Sequence, residues 1–130
     1  MKILAGYDGS NVAREAVEIA KKRARAYNAE VFVLRSLKEG HELRLEDMEK
    51  ADRELEELRS GFEKENIHCE ILLKKSGSSA GEELVQFATE KKVDELIVGV
   101  RKRSKVEKLL LGSTAQYVIL EAPCPVVTVK

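Results

Sequence analysis

Residues 2–24, KILAGYDGSNVAREAVEIAKKRA, change hydrophobic period once, at Ser10. Ile3, Leu4 and Ala5 form a short continuous apolar run, and Asp8-Gly9-Ser10 behind it supplies turn residues; together they read as a buried strand and a turn. Beyond Ser10, Ala13, Ala16, Val17, Ala20 and Ala24 recur at helical spacing, while Arg14, Glu15, Lys21, Lys22 and Arg25 take the other face. The pattern predicts a helix that stops near Asn28, a residue tolerant of the left-handed conformation. Strand, turn and amphipathic helix in direct succession make the first half of a βαβ unit.

The same alternation continues along the chain. Val31 to Leu34 reads as a second buried strand. Within residues 38–66, Met48, Ala51, Leu55, Leu58 and Phe62 form an amphipathic stripe, with Gly61 placed to fray or bend the helix near its end. A third strand is predicted from His68 to Lys74. After Gly77-Ser78-Ser79, the pair Ser79 and Glu82 has capping-box spacing, and the helix it opens runs to Lys91. Leu96 to Val100 is the most apolar strand. Gly112-Ser113 opens a helix carrying Ala115, Val118, Ile119 and Leu120, Pro123 and Pro125 close it, and Val126 to Val129 form a fifth strand. Strands alternating with helices need right-handed crossovers, which give a parallel sheet covered on both faces. The expectation is one doubly wound α/β domain over residues 1–130.

Composition narrows the function. The chain has 130 residues, of which 43% are apolar, 35% charged and 5% aromatic. No apolar run approaches the ~18 residues needed to cross a bilayer, so no membrane partner is expected. Met1-Lys2-Ile3-Leu4 enters a strand directly, without a signal-peptide core. Twenty-three basic residues balance twenty-three acidic ones, which argues against a nucleic-acid-coating protein. The balance is uneven along the chain: residues 38–66 carry six basic and eleven acidic side chains, residues 101–108 five basic and one acidic. Cys69 and Cys124 form no CxxC and no cluster with His41 or His68, so free thiols in a reducing, cytoplasmic setting are expected.

Open parallel sheets bind ligands at the carboxyl ends of their strands, where strand order reverses. The segments placed there are Asp8-Gly9-Ser10, Arg35-Ser36, Ser76 to Ser79, and Gly99 to Ser113. The last is the richest: Arg101, Lys102, Arg103, Lys105 and Lys108 precede Gly112-Ser113 at a helix start. Free backbone N–H groups, the helix dipole and a glycine permitting close approach suit a phosphate. The same residues also fit a solvated loop before an ordinary helix.

Four stretches, KILAGYDGS, DELIVGV, KLLLGSTAQYVI and APCPVVTV, make the chain resemble the universal stress protein (UspA-like) family over essentially its whole length. The family's nucleotide motif is Gly-x2-Gly-x9-Gly-Ser/Thr; Gly99, Gly112 and Ser113 fall at its intervals, and Lys102 stands at the second glycine. The resemblance implies an adenine-nucleotide alpha-hydrolase-like sheet of order 3-2-1-4-5, binding ATP, or ADP or AMP, with Mg²⁺ accompanying the nucleotide. Carried over by position, Asp8 would meet the ribose or the adenine side, with Gly6 and Tyr7 before it also expected at the nucleotide, and the strand-two edge near Ser36 would wall the base. Gly99, Gly112 and Ser113 would hold ribose and phosphates, with Asp8 toward Mg²⁺; Arg101, Lys102, Arg103 and Thr114 are the further residues expected at the nucleotide. Lys102 either obstructs the phosphates or neutralises them. The family order also implies a homodimer through Val126, Val127, Thr128 and Val129, and it places Cys69 and Cys124 on opposite sheet edges, too far apart to bridge.

No Walker lysine motif and no SGGxDS pyrophosphatase signature occurs, and Ser10 suits a helix cap better than a nucleophile. Catalysis is therefore not expected. The readings that remain are a nucleotide-responsive stress regulator, a dimer of the same fold that has lost its nucleotide, and a slow ATPase.

Overall fold

The computed structural model describes residues 1–38, 45–76, 78–100 and 111–130. Its elements alternate strictly: β1 (Lys2–Gly6), α1 (Asn11–Tyr27), β2 (Glu30–Lys38), α2 (Leu45–Lys64), β3 (Cys69–Ser76), α3 (Ala80–Glu90), β4 (Glu95–Gly99), α4 (Ser113–Glu121) and β5 (Val126–Val129). All strands are parallel in the order β3-β2-β1-β4-β5, with Ile3 opposite both Val31 and Glu95. This is the doubly wound sheet that the alternating periods predict. β2 and β3 extend past their apolar runs into polar residues because each strand's ladder bonds sustain the other.

Side chains on alternate strand positions point to opposite faces, and each face has its own core. Ile3, Ala5, Val31, Val33 and Ile97 pack beneath α1 and α2 with Ala16, Val17, Ala20, Leu55 and Phe62. Leu4, Phe32, Leu34, Leu96 and Val98 pack beneath α3 and α4 with Leu84, Phe87 and Val118. The buried face of α1 is mostly alanine, so its axis can approach the sheet closely. Its start is capped by Ser10, whose Oγ accepts from the Ala13 amide at 3.2 Å, and its end by Asn28 at φ 53°. Farther along α1, Arg23 forms a two-pronged ion pair with Glu95, a buried carboxylate at the head of β4.

Two details differ from expectation, and they have one cause. Lys21, assigned to the solvent face of α1, is only 7% exposed. Gly61, expected to fray or bend α2, lies inside a helix that continues to Lys64. The two meet: a Cβ on Gly61 would stand 3.1 Å from Lys21 Nζ. The missing side chain gives the ammonium room between α1 and α2, where it lies 5.3 Å from the Phe62 ring centre and binds Glu18 at 2.9 Å and Glu65 at 3.2 Å. Arg25 also pairs with Glu65.

Cys69 and Cys124 are both free and half-buried. Cys69 packs into the α1/α2 core and Cys124 into the α3/α4 core, at opposite edges of the sheet as well as on opposite faces. Four strand spacings, roughly 19 Å, separate those edges. Burial pushes the Cys69 thiol up to about 12, and burial followed by Asp94 and Glu95 raises Cys124.

The Glu65 carboxyl is held below its ordinary value, first by the hydrogen bond from Lys21 and then by the charges of Lys21 and Arg25. A carboxyl depressed in the folded state contributes stability above its unfolded pKa and loses it as pH falls through the folded value. Glu65→Gln should therefore leave a shallower loss of stability between about pH 5 and pH 3, measured by urea unfolding across that range.

Candidate functional site

A cleft of about 160 Å³ opens at the carboxyl ends of the central strands. Gly6, Tyr7 and Asp8 line it from the end of β1, Leu34 and Ser36 from β2, and Val98 and Gly99 from β4. The starts of α1, α3 and α4 close over it with Ser10, Val12, Ala13, Ala80, Leu84 and Gly112 to Ala115. β1 and β4 are where strand order reverses, the place where two consecutive connections leave for opposite faces and a crevice must open.

Three helix N-termini reach this cleft, and they differ in how they are finished. α1 and α3 begin with serine caps: Ser10 serves Ala13, and Ser79 Oγ accepts from the Glu82 amide at 3.2 Å. α4 begins with Gly112, which has no side chain to offer its amides. Among the described residues, a Cβ built on Gly112 meets nothing within 4 Å. The backbone there is ordinary, at φ −62° and ψ 157°, so glycine is not required by conformation.

Gly99 is glycine for the opposite reason. A Cβ there would lie 2.8 Å from Val12 Cγ1 and 3.0 Å from the Val12 carbonyl carbon and oxygen. It lets the start of α1 seat against the end of β4. Gly6 sits similarly under Leu84, whose Cδ1 would be 3.0 Å from an added Cβ. Gly9 adopts φ 85° in the β1–α1 turn. A Cβ on Gly9 would also crowd Arg35 Nη1 and Glu54 Oε2, each at 3.2 Å, which pair at 2.6 Å across the turn.

Of the residues expected at the ligand, Gly6, Tyr7, Asp8, Ser36, Gly99, Gly112, Ser113 and Thr114 are brought together around this one cleft. Arg101, Lys102 and Arg103 lie outside the described residues. Tyr7 contributes through its backbone, since its side chain is buried in the α1/α2 core with the Arg35 guanidinium 5.6 Å from its ring centre. Asp8 is exposed, and its Oδ1 accepts from the Ser10 amide at 2.9 Å, an Asx turn that steers the chain into α1. Ser36 turns toward α3 and donates to the buried Glu83 carboxylate at 2.9 Å. Among the described residues, no group of three or more His, Cys, Asp or Glu side chains is placed to hold a metal ion. No described helix is long and apolar enough to cross a membrane.

The universal stress protein family model matches residues 1–130. The chain belongs to the universal stress protein family. A universal stress protein of Thermus aquaticus is 34% identical over 140 residues, covering 98% of this chain and 97% of that one. One from Methanocaldococcus jannaschii is 33% identical, covering 99% and 81%. The solved universal stress protein of Archaeoglobus fulgidus superposes with a TM-score of 0.84 at 31% identity, over all of this chain and 93% of that one. The structure of the Archaeoglobus fulgidus protein in complex with dAMP gives 0.81 at 30% identity, with coverage of 100% and 98%.

Glu83 and the apolar lining residues Val12, Ala80 and Leu84 were not among the expected site residues. The Ser79/Glu82 capping pattern was the available signal, since it sets the start of α3 at the strand ends and so brings Ala80, Glu83 and Leu84 with it. The seating of Gly99 yields a direct test. Gly99→Ala should destabilise the fold by about 1–3 kcal/mol in denaturant unfolding, because Val12 presents its backbone as well as a stiff, β-branched side chain to the added methyl.

Proposed function

We propose that this chain binds an adenine nucleotide in the cleft, ATP foremost and ADP or AMP by the same contacts, and works as a cytoplasmic regulatory module. The observation that carries the reading is the open start of α4. Gly112 to Ala115 line the cleft, the helix has no side-chain cap, and among the described residues nothing fills the place of a Cβ at Gly112, where a phosphate oxygen would complete the helix. The hydroxyls of Ser113 and Thr114 stand beside it as further donors. The similar Archaeoglobus protein, solved with dAMP, supports an adenine nucleotide as the ligand class. Mg²⁺ would accompany a di- or triphosphate, with Asp8 the one carboxylate among the described lining residues. The proposed activity is binding, with occupancy changing the surface offered to partners.

Calorimetric titration with Mg-ATP tests this. The wild type should give a saturable heat, and Gly112→Asp should give none. The aspartate caps α4 itself, leaving stability within about 0.5 kcal/mol of wild type or above it, while its carboxylate occupies and repels the phosphate seat. A folded wild type that is silent toward ATP, ADP and AMP overturns the reading.

We also propose that the chain forms a homodimer through β5. This strand lies at the sheet edge, with Val126, Val127 and Val129 half-buried and Thr128 exposed. The carbonyls of Pro125 and Val129 accept from the amides of Leu96 in β4 and of Val100 just past its end, so the alternation of a parallel ladder turns the backbone of Val126 and Thr128 outward. Unpaired strand edges favour pairing with another chain. Exposed Ile119 and Leu120 on the preceding helix add apolar surface. The wild type should sediment as a dimer at micromolar concentrations. Thr128→Pro, which removes an outward N–H without touching the β4 ladder, should sediment as a monomer.

A further inference from the structure

We propose that the Ser36–Glu83 pair reads the base of the bound nucleotide, selecting one that presents an exocyclic N–H donor over one that presents a carbonyl in the same place. The inference rests on the nucleotide reading above and assigns its specificity to two residues. With the phosphates at the start of α4, beside β4, the rest of the ligand extends across β1 toward β2. The strand order puts Ser36 two strand spacings, roughly 10 Å, from the β4 end. The wall there is apolar, made of Leu34, Ala80 and Leu84, and Ser36 is its polar group. A flat ring fits against such a wall, and its polar edge meets the hydroxyl.

What that hydroxyl can offer is decided behind it. The Ser36 Oγ–H donates to Glu83 Oε2 at 2.9 Å. A serine hydroxyl has one proton and two lone pairs, so with the proton committed to the carboxylate Oγ faces the cleft as an acceptor only. The charged partner polarises the hydroxyl and strengthens it in that role. Glu83 is 3% exposed and lies in the first turn of α3, where the helix dipole favours a negative charge, so the carboxylate is held in place. A 6-amino purine satisfies this acceptor. A 6-keto purine sets two acceptor oxygens against each other where the 6-amino group would have donated.

The test is binding of AMP and IMP to the full chain, with purine riboside 5′-monophosphate, which lacks the amino group but keeps N1 unprotonated as in AMP, to separate the loss of that group from the proton IMP carries on N1. The wild type should prefer AMP by about tenfold or more. Ser36→Ala should bring the two within about twofold, and Ser36→Thr, which keeps the hydroxyl, should restore the preference. Glu83→Gln can donate to Ser36 and release the hydroxyl proton toward the ligand, so IMP should gain on AMP. Ser36→Ala decides the matter even if the buried Gln variant does not fold. If the wild type binds both nucleotides equally, or Ser36→Ala keeps the full preference, the pair does not read the base, and the nucleotide site itself stands. If the folded wild type binds neither, both the site and this inference fall.

Discussion

The distance between α1 and the sheet is the dimension on which the cleft depends. Alanines on the inner face of α1 and the absence of a side chain at Gly99 let the helix settle until Val12 touches the end of β4. Eleven residues farther along α1, Arg23 grips Glu95 at the head of the same strand. The helix is thus pinned to β4 at both ends, running opposite to it. That seating fixes the β1–α1 turn, and with it Asp8, Ser10 and the left-handed Gly9. Arg35 and Glu54 then lock the turn from outside, joining β2 to α2 over it. Were α1 lifted by the width of one methyl group, the floor and one rim of the cleft would move together.

The fold could be read largely from local signals. Apolar runs at Ile3–Ala5, Val31–Leu34 and Leu96–Val98 are too continuous for anything but strands buried on both sides. The α1 stripe and the Ser10 and Ser79 caps marked helix starts that the structure places within a residue. The order in which strands pair leaves no such local trace, and only the family resemblance supplied it. Site residues divide the same way. Those in turns with a special chemistry, such as Asp8 and Gly112, were visible. Glu83 was not, because its burial depends on β2 lying across from α3, a long-range fact.

Lys21 and Gly61 show the same limit from another side. Each has a plain local meaning, a solvent-facing cation and a helix breaker, and each loses it in contact with the other. A glycine 40 positions away in the chain makes room for the ammonium, and the Phe62 ring and two carboxylates then compensate its burial. The net charge of zero conceals a comparable pairing of opposites. The acid surplus lies in the covering segment 38–66 and the basic surplus in the segment that leads into α4. Net neutrality therefore coexists with a concentrated run of positive charge that precedes Gly112-Ser113 in the chain.

The two thiols carry a last consequence. Oxidants and electrophiles attack thiolates, and a cysteine held near a pKa of about 12 is almost wholly protonated at neutral pH. Cys124 is shifted in the same direction, and the sheet keeps the two sulfurs on different faces and different edges. Peroxide meets no ready nucleophile in either of them, and no intramolecular bridge can record its passage. The two thiols serve as apolar packing groups, one in each core, rather than as reporters of oxidation.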